Sequence, residues 1–225
     1  MMHLLDNLAW HSLTGAHAQF SAGNDEAKRY AAVFSPILGF ANVDQPNLGA
    51  LDSLCEPGEH FYCAGLHGTI AQGWQIDAES QASQLLWTGD APTVGASTHA
   101  VRLGPNHVPQ VMELMGLTKP GPFAKRTIEL GEYYGVFEGE RLVAMAGERM
   151  TAGPWREISG VCTHPDFQGR DYARMLTNEL INIAVHRNER PFLHVMADNH
   201  DARRLYEKMG FAHHQDVRLQ VVSRV

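Results

Sequence analysis

The sequence predicts a mixed α+β fold, in which a twisted mixed sheet is flanked by helices and preceded by a smaller N-terminal α/β region. Three observations carry that expectation. The second half opens as a meander of strands, continues as strands alternating with helices, and ends its last helix with a clear stop signal at Gly210. With 225 residues and 44% hydrophobic content, the chain is long enough to bury a proper core.

In the first half, short apolar runs such as "FYCAGL" and "SQLLWTG" alternate with Gly and Pro punctuation, which predicts several short strands after one or two N-terminal helices. The stretch "TGDAPTVGAST", residues 88–98, lacks a hydrophobic period and reads as a linker. A boundary is therefore expected near residue 95, with an N-terminal region over 1–95 and a second domain over 96–225. The segment "EYYGVFEGERLVAMAGERM" predicts strands over Tyr133 to Phe137 and Leu142 to Arg149, joined at Glu138, Gly139 and Glu140. A strand in "REISGVCT" follows, then the loop "HPDFQGRDYA", a helix, the strand "PFLHVMA", a second helix and a last strand in "VRLQVVS".

Both late helices have readable periods. In the first, Ala173, Leu176, Leu180, Ile183 and Ala184 fall on one stripe, with Arg174, Asn178 and Asn182 facing out. In the second, Asn199 is placed to cap the start, Ala202, Leu205 and Met209 form the inward stripe, and Gly210 ends it, with Phe211 folding back.

Composition narrows the function. Lys and Arg total 18 against 25 Asp and Glu, a net charge of -7, so no broad basic face is expected for a nucleic-acid backbone. No stretch reaches the roughly 18 apolar residues of a membrane span, and the N-terminus lacks a signal-peptide pattern, which points to a cytoplasmic protein. Cys55, Cys63 and Cys162 lack paired spacing and read as reduced, buried thiols. The 13 histidines are scattered, with no HExxH and no Cys/His quartet, so no metal is expected; His213 and His214 read as a strand-edge pair. Neither GxSxG nor GxxxxGK[ST] occurs.

Chemistry concentrates in "FQGRDYARML". A strand leads through a polar turn containing Gly169 straight into a helix, an arrangement that points free backbone N–H groups and the positive end of the helix dipole at one spot. A pyrophosphate would suit that spot, with Arg170 and Gln168 adding side-chain contacts. Together with "NHDARRLYEKMGF" over Asn199 to Phe211, this loop resembles the GNAT superfamily of acyl-CoA-dependent N-acetyltransferases, in particular its glycine-N-acyltransferase-like branch. The resemblance covers about residues 98–225 and rests on Gln168 to Ala173, set against the family's [QR]-x-x-G-x-[GA], and on the longer second motif.

The resemblance implies acetyl-CoA as cosubstrate and the primary amine of a small molecule or amino acid as acceptor. It places the pantetheine arm against the backbone of Val161, Cys162 and Thr163, and the pyrophosphate on the amides of Gln168, Gly169, Arg170, Asp171, Tyr172 and Ala173. Asn199 would lie near the pantetheine and Tyr206 near the thioester sulfur, where a phenol of ordinary pKa near about 10 serves as general acid. For the base, Glu157 precedes Gln168 by eleven residues, an offset that resembles the catalytic glutamate of the histone-acetylating branch. At period two Glu157, Ser159 and Val161 share a strand face; Glu148 and His194 are rivals on neighbouring strands.

Asp171 departs from the family's loop glycine. A carboxylate in the first helical turn gains about 0.3 to 1 kcal/mol from the dipole. Facing a phosphate at about 5 Å and an effective dielectric near about 20, it costs roughly 3 kcal/mol before screening. An outward side chain leaves the cradle usable, provided the turn does not demand positive φ there. The alternative is a degenerate acyltransferase domain that binds CoA or a partner without turnover. The N-terminal half is a candidate shrunken relative of the same fold that walls the acceptor cleft, and a homodimer is left open.

Overall fold

The computed structural model describes residues 3–90 and 100–225. Most of the predicted linker therefore lies outside the described residues.

The chain begins with α1 (Leu8–Thr14), followed by a small antiparallel sheet of β1 (Ser21–Gly23), β2 (Ala27–Tyr30) and β3 (Leu38–Phe40). The main sheet takes β4 (His60–Ala64), β5 (Trp74–Trp87) and β6 (Val101–Arg102), then β7 (Tyr133–Glu138), β8 (Arg141–Ala152), β9 (Trp155–Thr163), β10 (Arg190–Met196) and β11 (Phe211–Arg224). Between them lie α2 (Val108–Thr118), α3 (Tyr172–His186) and α4 (His200–Lys208). The sheet has eight strands in the order β4-β11-β5-β10-β9-β8-β7-β6. Only β9 and β10 pair in parallel; the other pairs are antiparallel. The mixed sheet flanked by helices is the fold class the sequence predicts.

The sheet does not break at residue 95. β5 lies between β10 and β11, so strands from both sides of that position form one hydrogen-bonded sheet.

Helices cover both faces. Ala144, Ala146, Ile158 and Leu193 meet Leu176, Leu180, Ile181 and Ala184 of α3 and Tyr206 of α4. On the opposite face Met145 packs with Val111, Leu114 and Met115 of α2, and Met150 and Phe192 pack with Leu8, Ala9 and Leu13 of α1. The α3 stripe is rotated from the expected one: Thr177 and Ile181 are buried, whereas Ala173 and Ile183 are half-buried. In α4 only Tyr206 is fully buried; Ala202, Leu205 and Met209 are half-buried, and Ala202 and Met209 pack against the core. Both α4 caps are as expected. Asn199 Oδ1 accepts from Ala202 N–H at 3.1 Å, and Gly210 at φ 94° follows the last turn, with Phe211 edge-on to Tyr206 at 5.7 Å. All three cysteines are free and buried. Among the described residues no helix is long and apolar enough to cross a membrane.

Candidate active site

The site begins where β9 and β10 part company. Their parallel pairing runs from Arg190↔Trp155 to Leu193↔Ile158 and stops, although β9 continues to Thr163 and β10 to Met196. Beyond Ile158, β9 pairs only with β8, which leaves backbone groups of Ser159 to Thr163 open on the β10 side. A bulge helps to turn the strand: Gly160 has φ 64°, and Gly160 and Val161 together oppose one residue of β8. The extra residue also breaks period two. Val161 therefore packs towards α3 with Ile158 and does not share the face of Glu157, contrary to the sequence expectation. Cys162 turns its thiol into the α2 cluster, so only its backbone is available to a ligand in the split.

The loop that follows is rich in unused donors. The Gln168 amide bonds weakly to Pro165 O at 3.4 Å and the Met175 amide to Asp171 O at 3.0 Å. Among the described residues no acceptor meets the amides of Gly169 to Arg174 between them. That run sits at the N-terminus of a fifteen-residue helix, where the dipole adds positive potential.

Asp171 is the N-cap of α3 and adopts φ 66°, ψ 10°. The turn thus does require a left-handed residue, which explains why glycine suits it; aspartate is among the side chains that tolerate this region. Its exposed carboxylate accepts from Nε of Arg174 at 2.8 Å, so it is paired along the helix surface. Arg170 stacks over the Phe167 ring at 4.7 Å and lies 3.5 Å from Glu138, which also accepts from the Tyr172 hydroxyl. Gln168, Gly169 and Arg170 are exposed.

On α4, Tyr206 is 7% exposed and its hydroxyl has no hydrogen-bond partner among the described residues. Burial, with a smaller contribution from Cys162, pushes its phenol up to about 12. Such a phenol stays protonated at neutral pH.

Glu157 lies on β9 as expected but is far from free. Its carboxylate is fully buried and held by Arg149 through two bonds, at 2.8 and 3.0 Å, and by His194 Nδ1 at 2.9 Å. Burial alone would raise its pKa; the Arg149 charge and the bonds from His194 and Arg149 outweigh burial and hold it at about 2. Glu148 is equally buried and accepts from Arg187 at 3.2 Å.

His194 is the first residue of β10 beyond its last pair with β9. Its Nε2 lies 3.0 Å from Gln84 Nε2, and Gln84 Oε1 accepts from Gln215 at 3.1 Å. Arg149, Glu157, His194, Gln84 and Gln215 thus form an unbroken polar row across β8, β9, β10, β5 and β11. Arg149, Gln84 and Gln215 went unread in the sequence. The available signal was a polar residue inside an apolar strand, as in "PFLHVMA" and "SQLLW". The row borders a cavity of about 360 Å³ between α1 and the sheet.

His3, Asp6 and His214 bring potential metal ligands within 4.8 Å of one another. His3 Nδ1 already accepts from Leu5 N–H at 3.3 Å and Asp6 accepts from His3 N–H at 2.7 Å, a reciprocal cap of the first helical turn.

Comparison with known proteins decides the family. The family model described as "FR47-like protein" matches residues 133–219. A solved structure from Novosphingobium aromaticivorans, assigned as an acetyltransferase of the GNAT family, superposes with a TM-score of 0.90 at 30% identity, covering 100% of both chains. The chain belongs to the GNAT family. A GNAT-family acetyltransferase from Colwellia psychrerythraea shares the fold at 10% identity and a TM-score of 0.54, over 100% of this chain and 98% of its own. So does a GCN5-related N-acetyltransferase-like protein from Streptococcus suis, at 14% identity and a TM-score of 0.53, over 91% and 82%. A search of curated proteins returns no match. In this GNAT chain the split between β9 and β10 opens just before the donor-rich loop, and Tyr206 belongs to the core cluster against which Val161 and Tyr172 pack.

Proposed function

We propose that the protein is an acetyl-CoA-dependent N-acetyltransferase acting on the primary amine of a small molecule. The observation that carries this reading is the coincidence of two unused donor sets. Among the described residues the amides of Gly169 to Arg174 find no acceptor at a helix N-terminus, and the β9 edge before them is left open by the split from β10. The first suits a diphosphate and the second an extended amide chain, which are the two binding features of a coenzyme A thioester. The glycine-N-acyltransferase-like branch is our placement within the family, resting on the motifs at 168–173 and 199–211.

In this reading acetyl-CoA supplies the activated acyl group, and the chain binds, orients and stabilises charge. Val161 to Thr163 hold the pantetheine arm by their backbone, and Gly169 to Ala173 hold the diphosphate. Arg170 swings from Glu138 to a phosphate oxygen. Asn199 serves by capping the start of α4, the helix that carries Tyr206. With its phenol near about 12, Tyr206 is a weaker acid than a thiol of ordinary pKa near about 8.5. It therefore acts by donating a hydrogen bond to the charge that develops on sulfur, a narrower role than full proton delivery.

Calorimetry with acetyl-CoA, followed by thiol release over a panel of amines, tests the proposal. The protein's own thiols are buried and add little background. Expected are a binding heat, amine-stimulated release, and a fall in kcat of about 100-fold in Tyr206→Phe. Absence of any binding heat would overturn the reading. Binding without amine-stimulated release would favour a domain that holds the cofactor without turnover.

A further inference from the structure

The cavity above the polar row has a composition of its own. Its walls are largely apolar, with Leu5, Leu8 and Ala9 from the N-terminal segment, Ile37, and Met150 and Leu219 from the sheet. Its polar groups gather along one wall. His194, Gln84, Gln215 and Arg149 line its floor, and at its edge the exposed Asp216, bonded to Ser83 and His213, stands beside Arg218. Small-molecule sites have this character, an apolar body pocket with a few placed polar groups. His194 also stands at the opening of the β9–β10 split, so one side chain borders both the cavity and the place where the acyl group would lie.

Hydrogen bonding assigns the imidazole's roles. Glu157, buried and ionised, accepts from Nδ1–H, and Nε2 accepts from the Gln84 amide, so one neutral tautomer satisfies both neighbours. Glu157 is closed off behind the ring by Arg149 and reaches the cavity only through it. The lone pair on Nε2 is covered by a single neutral donor, which an incoming N–H can replace.

We propose that this cavity is the acceptor site, that it takes a primary amine with an apolar body, and that His194 Nε2 accepts the amine proton while Glu157 acts as its positioning residue. The proposal rests on the acetyltransferase reading and deepens it. The amine leaves its ammonium proton to solvent and enters in its neutral form, displacing the Gln84 amide from Nε2. The amine nitrogen then bonds to the acyl carbon as the carbon–sulfur bond breaks. One proton leaves nitrogen for Nε2, and sulfur departs as a thiolate within reach of Tyr206. His194 passes its proton through water to the thiolate, so amide and thiol are the whole product and no further reactant is needed.

The experiment measures thiol release with 2-phenylethylamine, putrescine and glycine, alongside calorimetry with acetyl-CoA. 2-Phenylethylamine should show a kcat/KM about 30-fold or more above the other two. His194→Gln should lower kcat about 100-fold with the acetyl-CoA Kd unchanged, and Glu157→Gln should lower kcat while leaving KM for the amine in place. Ala9→Phe, which narrows the cavity from its α1 wall, should raise KM for 2-phenylethylamine about 10-fold at an unchanged acetyl-CoA Kd. Equal or better use of glycine or putrescine, or a His194→Gln enzyme with undiminished kcat, overturns this inference alone. Loss of acetyl-CoA binding by the wild type overturns the parent reading as well.

Discussion

At Asp171 the backbone imposes a condition and the side chain adapts to it. The left-handed conformation at φ 66° excludes most residues, and aspartate meets it while keeping its amide in the donor run. From the sequence the carboxylate looked like a repulsive neighbour for phosphate. In the structure it is turned along the helix onto Arg174, and the pair presents little net charge to the loop. On the proposed reading of the loop as the diphosphate site, Arg174 shields it from the Asp171 charge. Replacing it with Ala should weaken acetyl-CoA binding about 5-fold at low ionic strength, with the loss shrinking as salt screens the exposed carboxylate. In Asp171→Gly the same Arg174→Ala change should cost little. Calorimetry at two salt concentrations checks both, and equal affinities for wild type and Arg174→Ala would sink the shielding argument.

Among the elements, those after residue 133 were legible because each is bounded by local signals. The Glu138 to Glu140 turn, the Asn199 cap and the Gly210 stop all act within a few residues of where they stand. The donor-rich loop could be read for the same reason. β5 could not. Its fourteen residues form a long ribbon with β11 whose first half is exposed, so "WQIDAES" shows neither an apolar run nor a clean alternation. The helix α2, over "VPQVMELMGLT", also passed unread. The row from Arg149 to Gln215 escaped for a different reason: its members meet only across strand pairs, and no spacing along the chain records that His194 lies opposite Gln84. The insertion of β5 between β10 and β11 has a direct consequence. A fragment of residues 96–225 would leave two strands without their shared partner, exposing backbone groups and the apolar face under α4. Expressed alone it should lack cooperative thermal unfolding, and adding residues 1–95 in trans should restore it. A fragment that melts cooperatively by itself would show that the second half is self-sufficient.

For the molecule as a whole, stability is tied to pH through groups buried between the N-terminal segment and the sheet. His17 is 3% exposed and bonds through Nδ1 to the Tyr30 hydroxyl at 2.8 Å, within a cluster that includes Ser12. Burial, with help from the Arg156 charge, lowers it from 6.5 to about 4. Between those values the unfolded chain holds a proton that the folded chain does not, so acidification favours unfolding in that window and has no further effect through His17 below it. At about 1.36 kcal/mol per pH unit, the cost over the window is about 3 kcal/mol, a sizeable share of a typical domain's stability. Glu157 has the same sign at lower pH, since a carboxylate held at about 2 against an ordinary 4.5 gives up its contribution only as pH falls through that lower range. Urea unfolding at pH 7 and pH 4, followed by tryptophan fluorescence, isolates the His17 part by comparison with His17→Gln, which keeps a hydrogen-bonding side chain but does not titrate. The wild type should lose about 3 kcal/mol more than the variant between the two pH values. Parallel losses would mean that His17 reaches solvent, and that the N-terminal segment is not sealed against the sheet as the Ser12–His17–Tyr30 cluster requires.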